Sequence, residues 1–135
     1  MSWELQDDRP IYVQLLEQLQ LRIIAGVYRA GQRLPSVRDL AEEAAVNTNT
    51  MQRALTELEQ DELVRAQRTT GRFITEDQSK IDGIRIAFAR RHAETFLQGM
   101  RKLGFPREEA LAFLRDHAPP ADAGHEETNT RRNDP

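Results

Sequence analysis

The sequence predicts a mostly α-helical protein with one small β-hairpin. Apolar residues recur at helical spacing in several separate segments, which indicates amphipathic helices. Around residues 63–76 the helical spacing stops, and β-branched and aromatic residues surround a glycine, which is typical of a hairpin. The length of 135 residues fits one globular domain with an appendage better than two full domains.

The composition excludes several classes of protein. With 39% hydrophobic and 30% charged residues the chain is ordinary globular material. It has no cysteine, so it forms no disulfide or thiolate zinc site. The opening MSWELQDDRP is not typical of a signal peptide, and no stretch approaches the roughly 18 apolar residues of a membrane span. We therefore expect a cytoplasmic protein that does not interact with membranes.

The first predicted helix begins at Pro10 and ends near Gly26, since proline favours helix starts and glycine favours helix ends. The following segment VYRAGQRLP contains a glycine and a proline within a short span, which predicts a connecting loop. The apolar side of this helix is formed by Ile11, Leu15, Leu16, Leu19, Ile23 and Ile24.

Two short helices follow, separated by about four residues. Ser36 opens the first and Asn47 caps the second, because side-chain oxygens of these residues accept hydrogen bonds from free helical N–H groups. The buried stripe of the second is predicted to be Met51, Ala54, Leu55 and Leu58. Its opposite face is polar and comprises Asn49, Gln52, Arg53 and Thr56.

The segments LVRAQR and RFITE, separated by TTG, predict a hairpin with Gly71 near its turn. A long helix is predicted from about Gln78 to Leu103, and a last short helix follows Pro106. Residues 118–135 are polar and lack periodicity, so we expect a disordered tail. The elements therefore divide the chain into a first domain over 1–76, a helical region over 77–117 and the tail.

This order of elements is that of a winged helix-turn-helix domain followed by a short helical appendage. In such modules the second helix of the turn motif enters the DNA major groove with its N-terminal residues near base edges. Small polar groups crowd that position, in greater number than capping requires. They are short donors and acceptors that hydrogen-bond bases and phosphates, and they comprise Asn47, Thr48, Asn49 and Thr50, with Gln52 one turn on.

The net charge of −3 gives no global indication of nucleic-acid binding, so the positions of the arginines decide. These positions favour a DNA contact on the same surface. The loop, both turn-motif helices and the wing supply Arg33, Arg38, Arg53, Arg65, Arg68 and Arg72. Ser36 is first of all an N-cap and in addition a phosphate contact. The wing arginines have an alternative interpretation, since charges also protect a two-stranded edge from aggregation.

The stretch GQRLPSVRDLAEEAAVNTNTMQRALTELEQDELV, followed by TTGRFI, resembles the DNA-binding domain of the GntR family of bacterial transcription regulators. The short C-terminal appendage is similar to that of its YtrA subfamily. The resemblance implies DNA contacts from Arg38, from the residues that start the third helix and from Gly71 at the wing tip. It also implies dimerisation through the C-terminal helices and, commonly, control of transporter operons.

The long C-terminal helix carries more apolar surface than one short partner helix covers, which predicts a homodimer. The predicted interface is formed by Ile81, Ile84, Phe88, Phe96, Leu97 and Met100. The three histidines are too scattered for a metal site, and no arrangement of carboxylates or phosphate-binding loop indicates catalysis or a cofactor.

The sequence thus predicts a dimeric regulator, a repressor, that binds double-stranded operator DNA with an inverted repeat. The alternative is a winged-helix module that binds another protein and no DNA. Whether a small-molecule effector binds is left open, as are the operator sequence and the regulated genes.

Overall fold

The structure, a computed structural model, describes residues 2–117 and contains five helices and one antiparallel hairpin in this range. The predicted tail, residues 118–135, lies outside the described residues. The mostly helical fold with a small β-wing is confirmed. The elements in chain order are α1 (Ile11–Ile24), α2 (Val37–Ala44), α3 (Thr48–Gln60), β1 (Val64–Gln67), β2 (Gly71–Ile74), α4 (Gln78–Lys102) and α5 (Arg107–His117).

The helix starts follow the capping residues in the sequence. The Ser36 hydroxyl oxygen accepts a hydrogen bond of 3.0 Å from the N–H of Asp39, and the Asn47 side-chain oxygen accepts one of 2.7 Å from the N–H of Asn49. Between α2 and α3 the chain reverses through Ala45, which adopts the left-handed conformation with φ of 58°. This sharp turn sets α3 at the angle of a helix-turn-helix motif.

One hydrophobic core joins α1, α2, α3, the hairpin and the start of α4. Burial of each large apolar side chain contributes about 1.5–3 kcal/mol before the loss of conformational entropy. The core therefore fixes the positions of α2 and α3, from which the polar groups project. Its fully buried large side chains are Leu15, Leu19, Leu40, Met51, Leu55, Leu58, Leu63 and Ile74.

The N-terminal segment before α1 packs on the same core, which the sequence did not indicate. The buried side chain of Gln14 binds its backbone in both directions, accepting from the N–H of Gln6 and donating to the carbonyl of Gln6, each at 2.7 Å. The Trp3 ring lies over the guanidinium of buried Arg22, with 3.8 Å from Cζ to the ring centroid. These contacts attach residues 3–9 to α1.

The hairpin pairs Val64 with Ile74 and Gln67 with Gly71, so its turn consists of residues 68–70. The preceding loop, predicted as a simple connection, pairs with β2 as well. The N–H of Leu34 donates to the carbonyl of Arg72 at 2.8 Å, and the N–H of Ile74 donates to the carbonyl of Gln32 at 2.8 Å. The wing is therefore tied to the chain segment that leads into α2.

The described residues divide into two compact units, one up to Ala89 and one from Arg90 onward. The second contains the last part of α4 and all of α5. Its packing is sparse: Ala110 is fully buried, and Phe105 meets Phe113 edge to face with ring centroids 5.6 Å apart. Among residues 2–117, no helix combines the length and the apolar character that crossing a membrane requires.

Candidate nucleic-acid interface

The polar start of α3 projects from the core as one exposed surface. Asn47, Thr48, Asn49 and Gln52 are exposed, and Thr50 is half-buried. The oxygen of the Asn47 side chain is occupied as the helix cap, whereas its NH₂ group has no acceptor among residues 2–117. Asn47 can therefore cap the helix and donate to a ligand at once, which reconciles the two roles that the sequence suggested.

Gln52 is only loosely held within the chain. Its side-chain NH₂ lies 3.5 Å from the Thr56 hydroxyl oxygen, and that hydroxyl donates to the carbonyl of Gln52 at 3.0 Å. The amide of Gln52 thus remains able to bind a base edge with both its donor and its acceptor. This bidentate geometry is the one with which glutamine and asparagine bind adenine in the major groove.

Arg33, Ser36 and the exposed Arg38 lie on the segment that enters α2. Arg33 and Ser36, together with Asp39, line an open cavity of about 370 Å³. The Arg33 side chain also packs against the wing at Gly71, where an added Cβ atom would come within 3.0 Å of Arg33 Nε. Gly71 has φ of 105°, a backbone conformation that favours glycine, whereas the exposed end of the Arg33 side chain could shift to accept a Cβ atom.

The three wing arginines differ in their environment. Arg68 is exposed in the hairpin turn, and Arg65 has its guanidinium carbon 5.9 Å from the centre of the Phe73 ring. Arg72 forms an ion pair with Glu59 of α3. The DNA contact of Arg72 stays a prediction, and the ion pair, which balances its charge and connects the wing to α3, argues against that contact.

The exposed face of α3 contains one further arginine. Arg53 is exposed, and its guanidinium carbon lies 3.7 Å from the ring centroid of Tyr12, which belongs to the first turn of α1. None of the ion pairs found among residues 2–117 involves Arg53. Sequence reasoning placed Arg53 on this face and missed Tyr12, since helical periodicity gives no information on contacts between helices.

Behind the wing, a second ion pair joins Lys80 of α4 to Glu62. The hydrogen bond between the two side chains lowers the pKa of Glu62 and raises the pKa of Lys80. Glu59 thus binds Arg72 of the wing, and Glu62, in the turn after α3, binds Lys80 of α4. The first pair connects the wing to α3, and the second connects the end of α3 to the start of α4.

The predicted dimer residues divide into two groups. Ile81 is 5% exposed and belongs to the core of the first unit, and Ile84 packs against that core. Their place in a dimer interface stays a prediction, and the packing within the chain, which already covers much of their apolar surface, argues against it. Phe88, Phe96, Leu97 and Met100 are half-buried. In the second unit an open apolar cavity of about 440 Å³ is lined by His92, Ala93, Phe96, Leu97, Arg107, Leu111 and Leu114.

Histidines do not form a metal site in the part of the chain that the structure describes. No group of three or more histidine, cysteine or acidic side chains in that part is arranged to hold an ion. His92 lines the apolar cavity of the second unit, and His117 stacks on Phe113 with ring centroids 4.5 Å apart. His125 lies outside the described residues.

The structure combines a helix-turn-helix motif, a paired wing and an α3 whose first side chains are polar and exposed. Several arginines of the same part of the chain, including Arg53, form no ion pair among residues 2–117. These features together define a winged-helix DNA-binding protein. Comparisons with known proteins agree. The family model for bacterial regulatory proteins of the gntR family matches residues 11–74. The transcriptional regulator YhcF of Bacillus subtilis is 35% identical over 115 residues, which cover 85% of this chain and 95% of YhcF.

Solved structures extend the likeness in fold to most of the chain. A GntR family transcriptional regulator from Listeria monocytogenes superimposes with a TM-score of 0.77 at 38% identity, covering 82% of this chain and 97% of that one. The transcriptional repressor YtrA of Bacillus subtilis is 37% identical over 68 residues, 50% of this chain and 52% of YtrA. The chain belongs to the GntR family, and it is a DNA-binding transcription regulator.

Proposed function

We propose that this regulator is a repressor that binds an inverted-repeat operator as a homodimer. The observation that carries the proposal is the exposed start of α3, where uncharged polar side chains project from a rigid helix. Arginines that the chain does not neutralise surround these groups, which combines base recognition with phosphate attraction. The proposed contact residues are Arg33, Ser36, Arg38, Asn47, Thr48, Asn49, Thr50, Gln52, Arg53, Arg68 and Gly71.

The contacts are expected to divide by chemistry. Asn49 and Gln52 carry amides that bind base edges, so they supply sequence specificity. Arg38 and Arg68 lie on either side of this helix, on α2 and in the wing turn, and they supply phosphate contacts that are independent of sequence. Because no arginine lies in the first turn of α3, we expect more adenine than guanine contacts in each half-site.

Apolar surface in the second unit supports the dimer. Leu111 and Leu114 are each 44% exposed, and they border the cavity that Phe96 and Leu97 line. Exposed apolar surface of this kind marks an interface, and a two-fold dimer presents two copies of α3 to related half-sites. We retain a division into a DNA-binding part and a dimerisation part, with the boundary placed within α4 instead of at residue 76.

Repression is the direction that the similarity to the repressor YtrA favours. A dimer bound across a promoter excludes RNA polymerase from the same DNA, which requires no contact beyond the operator. The protein acts on chromosomal DNA, so we place it in the cytoplasm.

The experiment is selection of bound fragments from the source genome, followed by binding measurements on the selected duplex and on random duplex of equal length. Between about 50 and 200 mM salt, affinity for both duplexes should fall steeply while the preference for the selected duplex remains. Equal affinity for the two duplexes at every salt concentration would contradict sequence-specific recognition. Absence of binding to either would favour the protein-interaction module.

A further inference from the structure

Arg53 and Tyr12 come from different helices, and the guanidinium of Arg53 lies over the Tyr12 ring beside the exposed start of α3. Arg53 lies one turn after Asn49 on the exposed side of α3, and Tyr12 is the second residue of α1. The guanidinium carbon is 3.7 Å from the ring centroid, which is close contact for a stacked cation. The same core fixes both helices, through residues such as Leu15 of α1 and Leu55 of α3.

Stacking leaves the arginine able to bind a ligand. A ring contact occupies one flat face of the guanidinium, whereas all five N–H donors point outward in its plane. A tyrosine ring carries no net charge, so the positive charge of Arg53 is not cancelled. Arg72 shows the opposite case, since its ion pair with Glu59 both holds the side chain and neutralises it.

Preordering also favours binding. Arginine is a long side chain whose rotamer freedom is lost when it contacts a ligand, and that loss weakens the contact. A ring that already holds the guanidinium in one orientation reduces this loss before DNA arrives. The orientation suits planar, two-pronged binding to a phosphate or to the edge of a guanine.

We infer that Tyr12 is a positioning residue of the DNA interface: its ring orients Arg53 toward an oxygen acceptor on the operator and leaves the arginine's charge intact. The inference rests on the proposed function of the α3 face and adds a residue that lies outside the helix-turn-helix motif. Tyr12 acts through Arg53, so the two residues behave as one unit. The acceptor belongs to a phosphate or to a base, and these differ in their dependence on DNA sequence.

The test is a double-mutant cycle on the full-length chain, measured as Kd for the selected operator and for random duplex. Tyr12→Leu is expected to weaken operator binding roughly fivefold, in the range of a cation–π contact. Arg53→Ala should weaken it about tenfold, as expected for loss of one good contact. The double variant should bind no more weakly than Arg53→Ala alone, because without Arg53 the Tyr12 ring has no guanidinium to orient.

Conservative variants separate orientation from folding. Tyr12→Phe retains the ring and should bind like wild type, whereas Arg53→Lys retains the charge without the planar stack and should lose affinity. Arg90→Ala removes one exposed positive charge from α4, for which no ion pair is found among residues 2–117, and serves as the charge control. The melting temperature of each variant is measured in parallel, and Arg53→Lys with Tyr12→Phe still tests the inference if Tyr12→Leu does not fold.

Comparison of the affinity losses on operator and on random duplex identifies the acceptor that Arg53 contacts. Equal losses on operator and random duplex indicate a phosphate, and a loss confined to the operator indicates a base edge. Wild-type affinity of Tyr12→Leu, or an undiminished effect of that substitution in the Arg53→Ala background, would overturn the inference alone, provided Asn49→Ala still loses operator affinity. Failure of the wild-type protein to bind any duplex would overturn the proposed function and this inference together.

Discussion

The two compact units of this chain differ in how far they bury their apolar side chains. The first buries most of its large apolar residues in one core, where Leu15, Leu19 and Leu55 have no exposed surface, and leaves Leu21, Val27 and Ile86 39–50% exposed. The second buries Ala110 while Leu103, Leu111 and Leu114 remain 73%, 44% and 44% exposed. The first unit thus has a core that supports an exposed polar face, whereas the second has little core of its own, which is consistent with the proposed dimer.

This difference assigns different tasks to the two units. Apart from the Asn47 cap, the exposed polar side chains at the start of α3 are not needed for the fold, so they can bind DNA. The apolar residues around Phe96 and Leu111 contribute little to folding within one chain, so their burial energy remains available for association. Substitutions in the two units should therefore affect different measurements.

The largest effect is expected from charges placed in the apolar cavity of the second unit. Leu97→Asp combined with Leu111→Asp should convert the dimer to monomer at micromolar concentration, because a carboxylate is poorly tolerated in an apolar interface. Operator affinity should fall about 100-fold or more, since the second half-site no longer binds as part of the same molecule. Sedimentation and operator Kd measure the two effects.

Arg115→Ala on the exposed part of α5 is the control for this double variant and should leave both measurements unchanged. A double variant that stays dimeric, or one that loses its dimer without any loss of operator affinity, would show that the cavity does not join two DNA-reading units.

The next effect is expected in the core of the first unit. Leu55→Ala removes a fully buried side chain and should lower the free energy of unfolding by about 2–5 kcal/mol. Leu103→Ala should leave the same transition within about 0.5 kcal/mol of wild type, because Leu103 is 73% exposed and does not line the apolar cavity. Urea unfolding followed by fluorescence of Trp3, the single tryptophan, reports on this unit. If both variants lowered the free energy of unfolding equally, the two units would not differ in how much their apolar side chains contribute to folding.

A smaller effect, limited to DNA affinity, is expected from substitutions at the exposed start of α3. Asn49→Ala should lose about 1–3 kcal/mol of affinity for the operator and little for random duplex, as is typical for a base-edge contact. Gln60→Ala removes an exposed amide from the last residue of the same helix and provides the matched control. If both variants bind the operator equally well, the base contacts do not lie at the start of α3.

The smallest effect is expected from the arginines, measured as salt dependence. Arg38→Ala should weaken binding to all duplexes and reduce the slope of log affinity against log salt by about one ion. Arg72→Ala should leave the slope unchanged, because the ion pair with Glu59 already balances Arg72. A larger change for Arg72 than for Arg38 would reverse the assignment of the two residues.

Much of the fold follows from local patterns in the sequence. The caps at Ser36 and Asn47 and the glycine after α1 predict helix ends that the structure confirms to within about two residues. The hairpin was equally predictable, because β-branched residues on both sides of a Gly-containing turn favour it. The exposed face of α3 follows from the 3.6-residue period alone.

Contacts between distant parts of the chain were not predictable in this way. Nothing in the local sequence indicates that Arg72 finds Glu59, that Ile81 turns into the core or that Tyr12 supports Arg53. The attachment of the N-terminal segment through Gln14 was missed for the same reason. Such contacts depend on how the helices pack, and periodicity reports on one helix at a time.

Footprinting of the selected operator, combined with the mass of the protein–DNA complex, tests the central claim most directly. Two subunits bound to one duplex should protect two equivalent regions related by dyad symmetry, with half-site centres about one helical turn apart. That result would show two copies of α3 reading one operator through a joined pair of second units. Protection without dyad symmetry, or a complex containing a single subunit, would contradict the account.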